Sequence, residues 1–280
     1  MTRNDYICGK LVCPMVPTAS VVIMFLNAVL GFVLPVWLAC WLVKKHHAKW
    51  STILIGAATF FVVAFILESI VHQIVLVQSP AGAVIQGNTL YYALYGGLMA
   101  GLFEETGRFF AMKWFMKKEP AETLPALAYG VGHGGIEVIL VFAITMISQA
   151  GMALMINAGQ ADMLLSQTPA EALDQVQEMI DQLETTAPAT FLLGLWERVS
   201  AVILHLSFSV MVWAAVRKAG KWLWLYPAAI LLHALVDGLT VVLSKGGANM
   251  VALECIVMAL AVACAAIAWM VARKAFCKAE

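Results

Sequence analysis

The 280-residue chain is 62% hydrophobic and 12% charged, with a mean hydropathy of +0.87. A water-soluble domain carries about 25% charged residues, so the composition excludes one. Basic and acidic side chains balance at 17 each; no basic field is left for nucleic acid, and the lipid bilayer is the expected surrounding.

Seven apolar runs are long enough to cross about 30 Å of hydrocarbon as helices. They fall near residues 19–43, 51–77, 90–114, 123–149, 190–216, 222–243 and 248–272. An all-α, polytopic transmembrane helical bundle is predicted, since a membrane barrel would show short alternating segments. The first run is too long for a signal-peptide core and reads as a retained span behind an N-terminal tail over 1–18. Residues 19–280 then form a single helical domain. Cys8 and Cys13 could pair if the tail faces an oxidising compartment; the six cysteines show no metal-knuckle spacing.

Basic residues orient the bundle. Lys44, Lys45, Lys49, Lys113, Lys117, Lys118, Arg217, Lys218, Lys221, Arg273, Lys274 and Lys278 fall on one side, and only Arg3, Lys10 and Lys245 on the other. Seven crossings with an outer N-terminus and a cytoplasmic C-terminus satisfy this bias. The loop over 150–189 lies outside in this topology and holds six acids with no Lys or Arg. Within it, Thr168-Pro169-Ala170-Glu171 resembles a capping box with proline at the first helical position. Leu173, Val176, Ile180 and Leu183 then share one face of a short amphipathic helix. The fourth run is expected to extend past Gly151 toward Leu165.

Ionisable residues inside spans are costly and mark cavities or bundle interiors. Glu104, Glu105, His133, His205 and His233 each lie about ten residues from the cytoplasmic end of their spans, roughly 15 Å deep at 1.5 Å per residue. Four helices thus deliver two carboxylates and three imidazoles to one layer. A second, more external layer holds Glu68, Glu137, Glu197, Arg198, Asp237 and Glu254. Glu137 and Asp237 each stand four residues beyond a histidine, His133 and His233, where they can fix its tautomer. Arg108 can keep Glu104 or Glu105 ionised, and Arg198 can neutralise Glu68, Glu197 or Glu254. Four glycines surround His133, at 130, 132, 134 and 135, and serve either close packing or local opening of the helix.

Such a layer can activate water, with a carboxylate taking its proton. Three imidazole nitrogens and one Glu oxygen, from Glu104, His133, His205 and His233, would also suit tetrahedral Zn2+. A metal-free glutamate base with histidines stabilising the oxyanion is equally consistent with these residues. A divalent-metal or proton-coupled transporter could use the same groups as a relay, and a non-catalytic membrane binding or maturation protein could retain the pocket.

Glu104-Glu105-Thr106-Gly107-Arg108, the glycine-rich His133 segment, His205 and His233-Ala-Leu-Val-Asp237 together resemble the glutamic-type intramembrane peptidases. That group includes the CAAX-type prenyl-protein endopeptidases and bacteriocin-processing relatives; the YhfC-like membrane peptidases of bacteria are the closest in pattern. The resemblance implies an intramembrane endopeptidase, of glutamic or metalloprotease type, in the bacterial inner (plasma) membrane. Its substrate would be a membrane protein or peptide. Glu104 would match the water-activating glutamate, with His133 assisting and Glu105 beside it. His205 and His233 would match the later histidines of the hydrolytic or oxyanion site. Two residues separate Glu105 from Arg108 where the prenyl proteases have three, and Asp237 stands where they have asparagine. These departures argue against prenylated substrates. Small-residue faces leave both a monomer and an oligomer open.

Overall fold

A computed structural model of the chain describes residues 15–277. The expected tail lies almost wholly outside the described residues, as does the Cys8–Cys13 pairing. The described chain forms helices joined by short turns: α1 Thr18–His46, α2 Trp50–Gln78, α3 Pro80–Gln86, α4 Thr89–Phe115 and α5 Thr123–Asn157. After these come α6 Ala161–Ser166, α7 Leu173–Thr185, α8 Thr190–Lys218, α9 Leu225–Lys245 and α10 Met250–Phe276.

Six of the seven apolar runs are helices long and apolar enough to cross a membrane. The exception is α4, whose 27 residues have the length of a span but include Glu104, Glu105 and Arg108, all buried. Its start is set by Asn88, whose side-chain oxygen accepts from the amides of Leu90 and Tyr91 at 2.9 and 3.1 Å. Asn249 does the same for α10 through Val251 and Ala252. The fourth run continues past Gly151 to Asn157, where α5 ends. Thr168 Oγ1 donates to the Leu164 carbonyl at 2.8 Å, closing the turn behind it. α7 begins at Leu173, with no side chain capping it.

α8 is the central helix, with 67% of its most apolar stretch buried against 17–33% in the other five apolar spans. Phe208, Met211 and Trp213 of α8 pack with Met112 of α4, Tyr129 of α5 and the inner face of α10. Val16, Met24, Ala153 and Ile156 form a smaller cluster with Ile180 and Leu183 of α7, which lays that helix across the end of the bundle where α1 starts and α5 finishes. Lys245 over the Tyr92 ring, 4.5 Å from its centroid, brings the α9 terminus and the α4 start to one level.

Lipid tails are as apolar as leucine, so helices in a bilayer associate through close packing and polar contacts. The glycines around His133 serve that packing, in an unbroken stretch of helix. A Cβ on Gly132 would strike the Ile53 carbonyl of α2, and one on Gly134 would lie 3.1 Å from the His205 ring. Gly101 holds α4 against the Ile230 carbonyl of α9 in the same way. Gly132→Ala is therefore expected to destabilise the protein by roughly 2 kcal/mol through overpacking, read as a lower Tm in detergent; an unchanged Tm would show that α2 can yield.

A buried carboxylate and histidine site

Helix spacing sets the site. Glu104, Glu105 and Arg108 occupy one turn of α4, His133 and Glu137 one face of α5, and Arg198 and His205 stand two turns apart on α8. α9 supplies His233. The helix widens to π-type turns over Phe60–Glu68 in α2 and Val138–Ala143 in α5, a form common beside functional sites. The first widened stretch sets the Phe60 ring edge-on to His133, with centroids 5.2 Å apart.

Glu104 Oε2 lies 2.9 Å from His133 Nε2 and 3.6 Å from His205 Nδ1. Glu104, His133 and His205 each present one ligand atom, all within 4.8 Å of one another. The fourth expected ligand, His233, does not join them. Its Nδ1 is 2.9 Å from Glu105 Oε1 and its Nε2 is 3.5 Å from Asp237 Oδ2. It stacks on Phe208, and its ring centroid is 6.0 Å from that of His205.

Several expected pairings are redistributed. Glu137 shares a helix face with His133 but reaches across to α8, bonding His205 Nε2 through Oε2 and accepting from Arg198 Nη1 at 2.7 Å through Oε1. Arg198 also pairs with Glu197, its neighbour in sequence. Arg108 meets Glu105 rather than Glu104, with Nε 3.1 Å from Oε2. Its Nη1 donates to the His205 carbonyl and to Ser209 Oγ, both at 2.7 Å. Sequence reasoning did not single out Ser209. Its one signal was a hydroxyl four residues beyond His205, where it could face an incoming arginine.

A chamber of about 320 Å³ is lined by Glu104, Glu137, Arg198, His205, His233 and Asp237, among others. His133 is fully buried behind it. A larger cleft of about 720 Å³ between α2 and α4 is lined by side chains such as Val62, Leu102, Phe110 and Trp114 and by none of the site's ionisable groups.

The donor set suits a zinc-type ion. Ligands about 2.1 Å from a tetrahedral zinc stand about 3.4 Å apart, a value bracketed by the two distances from Glu104 Oε2. With its proton on Nε2 toward Glu137, His205 turns the Nδ1 lone pair toward the Glu104 carboxylate, 3.6 Å away, and toward Arg108 Nη2, 3.3 Å away. A metal ion would take that lone pair in place of the guanidinium contact.

The family model for YhfC intramembrane metalloproteases matches residues 30–257. This stretch holds every residue of the site. The chain belongs to the YhfC family. A Bacillus subtilis (strain 168) relative, described as the uncharacterized membrane protein YhfC, is 37% identical over 261 residues, covering 93% of this chain and 98% of its own. No solved structure matches. This YhfC family member is thus a multi-span membrane protein with a buried Glu-His-His cluster capable of holding a metal ion.

Proposed function

We propose that this chain is an intramembrane endopeptidase that hydrolyses peptide bonds of membrane proteins or peptides at the chamber. The observation that carries this reading is the convergence of Glu104, His133 and His205 on one point at the chamber wall. Membership in a metalloprotease family supports it. We place all seven long helices across the bacterial inner membrane, with the N-terminus outside and the C-terminus in the cytoplasm, on the Lys/Arg bias of the loops.

Glu104, His133 and His205 would hold zinc. When bound, the ion supplies Lewis-acid activation of water and of the scissile carbonyl. Glu104 offers Oε2 to the ligand group and keeps its other oxygen to accept the proton of a chamber water as hydroxide adds to the carbonyl carbon. That proton then passes to the leaving nitrogen, and the C–N bond breaks to give a carboxylate and an amine. His233 lines the chamber with its Nδ1 held by Glu105; its Nε2, 3.5 Å from Asp237 Oδ2, would turn from that long contact to donate to the oxyanion. Glu105, neutralised by Arg108 and fully buried, positions His233 and does not act as a base.

Glu137 orients His205, and Arg198 orients Glu137. Partners of this kind change metal affinity by about 10–100-fold when removed. Glu137→Gln is expected to weaken zinc binding on that scale while the helical circular dichroism is unchanged; wild-type affinity would show that His205 needs no such support.

The reading is tested by reconstituting purified protein into liposomes with bacterial membrane proteins and sequencing the new N-termini. New termini that vanish on chelation and return with zinc are expected. Cleavage that survives chelation would leave Glu104 a metal-free base. No cleavage but clear ion flux would mark a transporter.

A further inference from the structure

Among the described residues, some carboxylates at the α7 end of the chamber lack a matching cation. Arg198 is the guanidinium that serves both Glu137 and Glu197. Glu254 of α10 is only 5% exposed, and its Oε2 has no hydrogen-bond partner among the described residues. It interacts electrostatically with Glu197 and Arg198, which line the chamber. Asp237, also on the chamber wall, has a half-exposed side chain and lies 3.5 Å from His233. His205 hydrogen-bonds Glu137 through Nε2 but, as a neutral imidazole, brings it no charge. Glu137, Glu197 and Glu254 are left to share one guanidinium in a medium that penalises unpaired charge.

Resting on the endopeptidase reading, we propose that this end of the chamber is a subsite for a Lys or Arg side chain of the substrate polypeptide, received by Glu197 on the chamber wall and favoured by the charge of the buried Glu254 behind it. A basic side chain fits better than a second metal ion. Glu197 already holds the Arg198 guanidinium, which repels a dication more strongly than a single charge. Among the described residues, three ligand atoms converge only at Glu104, His133 and His205. The long stem of Lys or Arg also lets its charge reach a polar pocket from an apolar segment.

The spacing fixes where the basic residue sits. Glu197 lies seven residues past Thr190 and Glu104 fifteen past Thr89. At 1.5 Å per residue the two levels differ by roughly 12 Å. An extended peptide covers that distance in about three or four residues. The preferred substrate therefore carries Lys or Arg about that far from the scissile bond, on the side toward α7.

The test sequences new N-termini produced from liposome-reconstituted membrane proteins by the wild type, Glu254→Gln and Glu197→Gln. Wild-type sites should be enriched in Lys or Arg at that spacing, and the preference should fall about fivefold in Glu254→Gln, the scale of one partly desolvated ion pair. Glu197→Gln should act in the same direction and serves if the first variant folds poorly. Wild-type cleavage without charge preference, or a preference unchanged in both variants, overturns the subsite while leaving the endopeptidase standing. A second bound divalent ion that is lost in Glu254→Gln also overturns it. No cleavage by the wild type sinks the endopeptidase reading, and the subsite with it.

Discussion

Glu104→Gln is expected to fold and insert normally yet lose peptide cleavage by about 10²–10⁴-fold, the range of a lost proton acceptor. The amide keeps the size of the carboxylate, so α4 should still pack against α5 and α9. What changes is the charge at one point. Glu104 Oε2 is the atom from which both His133 and His205 are reached, at 2.9 and 3.6 Å. A neutral amide is a poor zinc ligand and takes no proton from water, so metal content and turnover should fall together. His133→Ala and His205→Ala should repeat the loss of metal. Full cleavage by Glu104→Gln, scored as new N-termini, would remove Glu104 from the chemistry.

The largest effect on stability is expected from Arg108→Ala. Arg108 is fully buried, and its guanidinium reaches the Glu105 carboxylate, the His205 carbonyl and Ser209. Removing it leaves Glu105 charged at the bundle centre with only His233 beside it. Breaking a buried ion pair from one side costs about 3–5 kcal/mol, a large part of the stability of most domains. Thermal unfolding in detergent should show a collapse of Tm in Arg108→Ala. Arg108→Lys should recover part of it, since one ammonium can reach Glu105 but lacks the fork that also holds α8. A Tm close to wild type in Arg108→Ala would mean that Glu105 is carried neutral and that the pair is not structural.

Much of this arrangement is legible in the sequence because depth in a membrane helix is a simple count. Residues at equal distance from the basic ends of their spans come to one level, and that count brings Glu104, His133 and His205 together. It does not give rotation about each helix axis. Glu137 is four residues from His133 and shares its face, but its partners sit on α8, where Arg198 and His205 lie seven residues apart on one side of the helix. Neighbouring helices therefore compete with the i,i+4 partner, and only packing decides the winner. Arg108 meets the same ambiguity between Glu104 and Glu105; Glu104 is turned toward α5, leaving Glu105 to the arginine. His233 shares the level of the other histidines, but Glu105 draws its Nδ1 away from the ligand group. The Thr168 hydroxyl donates back to the Leu164 carbonyl, at the end of α6, and α7 begins only at Leu173.

X-ray absorption at the zinc edge of the metal-loaded protein tests the metal centre most directly. Two imidazole nitrogens and at least one oxygen at about 2.0–2.2 Å are expected, with the signal lost in His133→Ala and in His205→Ala. A protein that takes up no zinc, or one whose zinc shell is unchanged in both variants, would contradict a metal centre built from Glu104, His133 and His205.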